Sequence, residues 1–203
     1  MIKNVVFDLG RVIYTYAPLD DLVEHGLSKE AVERFMERIY DSPMWQEIDR
    51  GTYTVAGAVK KWCSIYPDME QDLRLIFNDG WIDRIISIMP DSLEFFYKVK
   101  ERGFKIYLLT NFSEDAFAHV SARDSFFDDV DGMIVSAHEK LIKPDPAIYH
   151  CLLDRYNLIA EETIFIDDLA PNVAAAKDVG IQAIQFTTLE EVKRQFEEIV
   201  KCA

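Results

Sequence analysis

The chain is poor in the residues that build the commonest metal and nucleophile sites. Three cysteines in 203 residues, Cys63, Cys151 and Cys202, form no close pair. That excludes a disulfide framework and a thiolate zinc site, and the expectation is reduced thiols in a cytoplasmic protein. The four histidines, His25, His119, His138 and His150, show no H-x-x-x-H spacing and no serine partner. A zinc enzyme and a histidine-based hydrolase are therefore disfavoured. No apolar run approaches the ~18–20 residues of a membrane span. The opening MIKNVVFD runs from a strand straight into a charge and is not read as a signal peptide. Basic residues are outnumbered 22 to 36, leaving a formal net charge of −14. A general nucleic-acid binder needs a basic stripe and is disfavoured. No internal repeat or low-complexity segment is present.

What remains is an ordinary globular composition, 49% hydrophobic and 29% charged. Five β-rich runs recur, at residues 3–8, 104–109, 132–136, 163–167 and 182–186. Amphipathic stretches separate them. Asp91–Arg102 carries Leu93, Phe96 and Tyr97 at helical spacing and stops at Gly103. Asp145-Pro146 is a cap followed by a first-turn proline. Pro171–Val179 ends at Gly180, and Leu189–Val200 reads as a closing helix. This alternation predicts an α/β fold with a parallel sheet and right-handed crossovers. More than ninety residues separate the first two strands, far beyond one crossover helix. Residues from about 16 to 88 read as helices only. Ser28 caps one with Val32, Phe35, Met36, Ile39 and Tyr40 on a face, Gly51 ends a second, Thr54 caps a third towards Trp62, and Ile82–Met89 belongs to another. The expectation is a small helical domain inserted after the first strand.

That strand, in VVFDLGRVI, ends on Asp8 and is followed at once by Gly10. In open α/β sheets ligands bind beyond the carboxyl ends of the strands. Thr110-Asn111 follow IYLL, Lys143-Pro144 precede the Asp145 cap, and Asp167-Asp168 end TIFI. Parallel strands would bring these groups to one edge. Two carboxylates, with waters and a substrate phosphate, suit Mg²⁺, and Asp8 and Asp168 can supply them with Asp167 beside. A carboxylate is also a nucleophile towards phosphoryl groups. Thr110 can donate to phosphoryl oxygens, and Lys143 can place a point charge on them.

FDLGRVIY, LLTN, KPDPAIY and FIDDLAPN, in that order, resemble the four motifs of the haloacid dehalogenase superfamily. The resemblance covers the whole chain. It implies a Rossmann-like three-layer core, residues 1–15 and 89–203, with strand 1 central in the order 3-2-1-4-5. Residues 16–88 would be the family's type-1 helical cap. It further implies Asp8 as nucleophile and metal ligand, Thr110 and Asn111 as phosphate holders, and Lys143 as the cation that orients both. Asp168 would be the main Mg²⁺ ligand, with Asp167 and the Gly10 carbonyl as helpers. Asp145 is read as a helix cap only. Asn172 either packs locally or supports the metal. Arg11 either reaches substrate or makes a surface ion pair. Trp45 and Trp81 are read as cap core.

The sequence departs from the family where a second acid usually stands two positions after the nucleophile. Here that residue is Gly10. The acid normally protonates the leaving oxygen, and losing it costs about 10²–10⁴-fold in rate. The expected function is a Mg²⁺-dependent phosphatase for a small phosphorylated metabolite. A hexose 1-phosphate is favoured because its anomeric oxygen leaves more readily than an alkoxide. Tyr14, Tyr16 or a cap residue is left to supply a proton. The rivals are a hydrolytic dehalogenase, which has no use for paired acids at 167–168, a phosphomutase, which needs the second acid, and a catalytically impaired phosphate- or protein-binding module. The helical insert carries no readable substrate code, and oligomeric state is equally unreadable.

Overall fold

The computed structural model describes residues 1–16, 22–24 and 26–202. His25 lies outside the described residues. Five parallel strands make one sheet in the order β3-β2-β1-β4-β5. They are β1 (Asn4–Phe7), β2 (Lys105–Thr110), β3 (Gly132–Val135), β4 (Thr163–Asp167) and β5 (Gln182–Gln185). β1 lies between β2 and β4, with Phe7 opposite Leu108 on one side and Ile166 on the other. Every β1 residue is buried. That is why its sequence is continuously apolar rather than alternating.

The two faces of the sheet have separate cores. Val5, Phe7, Ile106, Leu108 and Ile166 pack with Phe96 of α6 (Pro90–Glu101), Val120 of α7 (Glu114–Arg123) and Phe196 of α11 (Leu189–Cys202). Val6, Leu109 and Phe165 face the other way, onto Ile148 and Leu152 of α9 (Pro146–Tyr156) and Ala176 of α10 (Ala170–Asp178). The strand period of two sends neighbours to opposite faces and yields three layers.

Between β1 and β2 the chain is helical before α6. The helices are α1 (Lys29–Phe35), α2 (Pro43–Asp49), α3 (Val55–Ile65), α4 (Glu70–Ile76) and α5 (Trp81–Ile85). Ser28 caps α1 by accepting from the Ala31 amide, and Thr54 caps α3 by accepting from Gly57. The stripe expected after Ser28 is continuous, but Met36–Tyr40 is a π-helical turn. These helices bury a core of their own around Phe35, Ile39, Trp62, Met69 and Leu73. Among the described residues, Trp81 packs against both this cluster and the core beside the sheet.

One sequence expectation is corrected here. The helix read over Ile82–Met89 stops at Ile85, and Ile86 is extended. Pro90 at the start of α6 disfavours a helical residue before it, and the segment pairs instead with the chain leaving β1. Tyr14 bridges Ile88 antiparallel, Thr15 donates to Ser87 at 2.7 Å, and Met89 donates to Ile13 at 2.8 Å. The two connections to the helical insert therefore run side by side. Among the described residues no helix is long and apolar enough to cross a membrane.

Candidate active site

Parallel register brings three strand ends to one edge. Asp8 follows β1 directly, Thr110 closes β2 and Asp167 closes β4. All three are buried. Lys143 reaches them from the loop before α9, with its side chain 1% exposed, and the Asp145 cap just after it accepts from Ala147 at 2.9 Å. The Lys143 ammonium lies 2.9 Å from Asp8 Oδ1 and 2.6 Å from Asp167 Oδ2, and it donates to the Leu109 carbonyl at 3.0 Å. All three of its hydrogens have an acceptor.

The supports around this ammonium are equally closed. Asn111 Nδ2 donates to the Lys143 carbonyl at 3.0 Å, and the Lys143 amide donates to Asn111 Oδ1 at 2.8 Å. The Asn111 amide thus clamps the lysine's backbone. Asn172 donates to both oxygens of Asp167, at 2.9 and 3.1 Å, and the Leu169 amide donates to Oδ1 at 2.8 Å. Tyr149 fixes Asn172 in turn by donating to its carbonyl at 2.9 Å. Asn172 therefore holds the Asp167 carboxylate in place.

Asp168 points elsewhere. Its backbone carbonyl accepts from Gln185 at 3.0 Å, while its carboxylate lies 3.9 Å from Arg11. Arg11 sits at φ 55° and places its guanidinium 5.9 Å from the Tyr16 ring centre. Asp8, Asp167 and Asp168 each offer an oxygen, all within 4.8 Å of one another. Such a set of hard oxygen donors fits a divalent cation. Thr110 is 1% exposed, and its hydroxyl has no hydrogen-bond partner among the described residues. An unpaired buried hydroxyl costs about 1–3 kcal/mol, which a ligand oxygen would recover.

The electrostatics follow from burial. Burial pushes the Asp8 carboxyl upward and Lys143 pulls it back, while Asp167 adds a further push. Burial works against the Lys143 charge, but Asp8 and Asp167 outweigh it and hold the ammonium above its ordinary range. Burial also raises Asp168, helped by Asp167 and opposed by Arg11 and Lys143. Two carboxylates around one ammonium leave the pocket short of positive charge for a phosphate.

The pocket extends into a cavity of about 260 Å³ that reaches the helical insert. Its floor holds Asp8, Gly10, Asn111, Lys143 and Asp168, and its far wall includes Tyr40, Trp45, Ile48, Phe77 and Trp81.

The chain matches the family of haloacid dehalogenase-like hydrolases over residues 2–180. It belongs to that family. It is 25% identical over 202 residues to a sesquiterpene phosphatase of Aspergillus oryzae, covering 98% of this chain and 97% of the relative. It is 21% identical to a D-ribitol-5-phosphate phosphatase of Bacteroides thetaiotaomicron, covering 91% and 92%. A crystal structure of a HAD family enzyme from the same bacterium, in complex with magnesium and inorganic phosphate, superposes with a TM-score of 0.73. That match is 20% identical and covers 91% of this chain and 94% of the other; it shows the shared fold.

Within this haloacid dehalogenase-like hydrolase the structure gathers Asp8, Gly10, Arg11, Thr110, Asn111, Lys143, Asp167 and Asp168 at one sheet edge. Trp45 and Trp81 belong to the insert's core, as expected, and also line the cavity. Trp45 stacks on Trp62 with ring centres 6.1 Å apart. One residue that sequence reasoning missed is Asp49, at the end of α2, which lines the same cavity. The signal available was weak, an acid two positions before the helix-ending Gly51.

Proposed function

We propose that this protein is a Mg²⁺-dependent phosphatase that hydrolyses a small phosphate monoester by way of a phosphoryl group carried on Asp8. The observation that carries this reading is the buried Lys143 ammonium bridging Asp8 and Asp167 beside the unpartnered Thr110 hydroxyl. The Asp8 oxygen not held by Lys143 attacks phosphorus. Lys143 fixes the nucleophile's orientation and presents charge to the phosphoryl oxygens. Thr110 donates its free hydrogen to one of them. Asn111 acts through the Lys143 backbone, and Asp167 with Asn172 keeps the ammonium in place. Asp8 and Asp168, with the Gly10 carbonyl, would hold Mg²⁺, whose contribution when bound is to neutralise the carboxylates and the incoming phosphate. Both oxygens of Asp167 are already engaged, which suits a supporting role. Full-length relatives named as phosphatases support the same chemistry.

Residues 16–88 act in this proposal as a cap over a core of residues 1–15 and 89–203. The separate hydrophobic cluster of the insert and its paired connections support that division. The substrate is a small molecule rather than nucleic acid, in keeping with the net charge of −14. Three free cysteines support a reducing, cytoplasmic compartment. A hexose 1-phosphate was favoured by the leaving-group argument from Gly10. The cavity wall favours a different ester, because Tyr40, Trp45, Ile48, Phe77 and Trp81 offer apolar surface and few partners for sugar hydroxyls.

A panel of p-nitrophenyl phosphate, glucose 1-phosphate, glycerol phosphate and an isoprenyl phosphate, with and without Mg²⁺, tests both points. Turnover is expected with Mg²⁺ and to vanish in Asp8→Asn, with the isoprenyl ester preferred over glucose 1-phosphate. An Asp8→Asn variant that keeps turning over would overturn the mechanism. No hydrolysis even of p-nitrophenyl phosphate would leave the phosphate-binding module as the better reading.

A further inference from the structure

We propose that Asp49, on the helical insert, protonates the leaving oxygen and then serves as the base for the attacking water. This inference rests on the phosphatase reading. An alkoxide leaves phosphorus poorly, and a positioned acid contributes about 10²–10⁴-fold. Gly10, next to the nucleophile, has no side chain to do this. A Cβ built there would meet nothing within 4 Å, so the space beside Asp8 is open.

Other candidates fail on geometry. Asp8 and Asp168 are assigned to phosphoryl transfer and the metal, and Asp167 has both oxygens engaged. The Tyr14 hydroxyl donates to Asp124 at 2.6 Å. Tyr16 is half-buried, and desolvation holds its phenol well above the ordinary range, with Tyr40 and Asp49 adding to the effect, so it gives up a proton poorly. Among the described residues no histidine lines the cavity.

Asp49 does line it, with Asp8, Gly10 and Lys143. Its carboxylate has no hydrogen-bond partner among the described residues, whereas its backbone is held on both sides. The Ser136 hydroxyl donates to the Asp49 carbonyl and accepts from the Phe112 amide at 2.9 Å. Lys140 donates to the Gly51 carbonyl at 2.7 Å. Gly51 lies so close to α8 (Ser136–Glu139) that a Cβ would fall 2.5 Å from the Ala137 carbonyl oxygen. The sheet domain therefore sets where this carboxyl stands.

Lys143 acts on the Asp49 carboxyl and Asp49 in turn on Tyr16, while Asp8, Arg11, Tyr40 and Asp168 line the same cavity. Burial pushes its carboxyl up to about 7, against the pull of Lys143. An acid in that range is divided between its protonated and ionised forms near neutral pH, as a group that must both give and take a proton requires.

The sequence of events balances. Asp8 bonds to phosphorus as the ester P–O bond breaks, and the Asp49 proton goes to the departing oxygen to give the alcohol. Water then attacks the phosphorus of phospho-Asp8, losing a proton to the Asp49 carboxylate. The Asp8 O–P bond breaks, releasing inorganic phosphate and regenerating both residues.

The test compares glycerol phosphate with p-nitrophenyl phosphate, whose phenolate leaves without a proton, in Mg²⁺-loaded wild type and Asp49→Asn by rapid quench. In the variant, phosphorylation by glycerol phosphate is expected to fall about 10²–10⁴-fold. The p-nitrophenolate burst is expected to persist, with slow turnover after it. Phosphorylated enzyme should accumulate and be visible by intact mass. Adding Gly10→Asp to Asp49→Asn should restore glycerol phosphate hydrolysis, since that site has room for a side chain. No loss with either ester, or an equal loss with both that Gly10→Asp does not rescue, overturns the inference and leaves the phosphatase reading standing. Wild type that forms no p-nitrophenolate at all overturns the phosphatase reading and this role together.

Discussion

Asp49 and Thr110 are both polar residues placed with little protein to satisfy them, and the physical consequence differs. Thr110 hides a neutral hydroxyl, a penalty that does not change with pH. Asp49 is half-buried and ionisable. Its folded pKa, about 7, stands above the ordinary 3.8. Between those values the native state binds a proton that the unfolded chain has released, so stability falls as pH rises through the window. Asp49→Asn removes the penalty. Thermal unfolding should show the variant gaining on wild type from about pH 4 upward, with the full advantage above pH 7 and none below pH 4. A constant difference across that range would mean that Asp49 titrates as it does in water. Lys143 shows the opposite arrangement, a buried cation with an acceptor for every hydrogen. Removing the ammonium would leave two buried carboxylates uncompensated, a strongly destabilising change.

Among the elements, α2 and its exit loop join the insert to the site. Gly51 adopts φ 74° against α8. Alanine at this position would be strained by its backbone angle, roughly 1–3 kcal/mol, and would also clash with a neighbouring backbone that cannot swing away. Gly51→Ala should lower the unfolding temperature and raise amide exchange at residues 49–52, with hydrolysis of alkyl esters falling more than that of p-nitrophenyl phosphate. Unchanged exchange there would mean that the contact with α8 does not hold Asp49. The strand ends need no such device. β1 is held by both neighbours over its whole length, so Asp8 is positioned by the sheet's own hydrogen bonds.

Across the whole molecule, the cores beside the sheet and within the insert meet at one cavity lined by several carboxylates. Asp8, Asp167 and Asp168 each bring an oxygen within 4.8 Å of the others, while Lys143 bridges the first two and Arg11 stands 3.9 Å from the third. A divalent ion that binds only the folded chain stabilises it by mass action, about 2.7 kcal/mol at a hundredfold excess over its Kd. For a chain of this size that is a rise of about 5–10 °C in Tm. Mg²⁺ should raise the wild-type Tm accordingly, chelation should reverse it, and Asp168→Asn should abolish the response. An equal rise in that variant would place the ion elsewhere. The insert's aromatic side chains Tyr40, Trp45, Phe77 and Trp81 line the same cavity as Asp8 and Asp168.

The sequence alone sufficed for the sheet and for the residues on its edge. Continuous apolar runs mark buried parallel strands, and a carboxylate, hydroxyl or ammonium closing such a run has one place to go. Asp8, Thr110, Asp167 and Asp168 were legible for that reason; Lys143 was legible only from its place before the Asp145 cap and the motif resemblance, and the caps at Ser28, Thr54 and Asp145 from their residue types. The tertiary structure alone decided that Asn111 and Asp167 hold Lys143, that Trp45 and Trp81 wall the cavity while packing a core, that the helix before Pro90 ends at Ile85, and that Asp49 lines the same cavity as Asp8. These depend on how the helical insert docks on the sheet domain, through close contacts such as Gly51 against Ala137. Docking of that kind is set by shape and by hydrogen bonds between distant residues, and neither leaves a periodic trace in the chain.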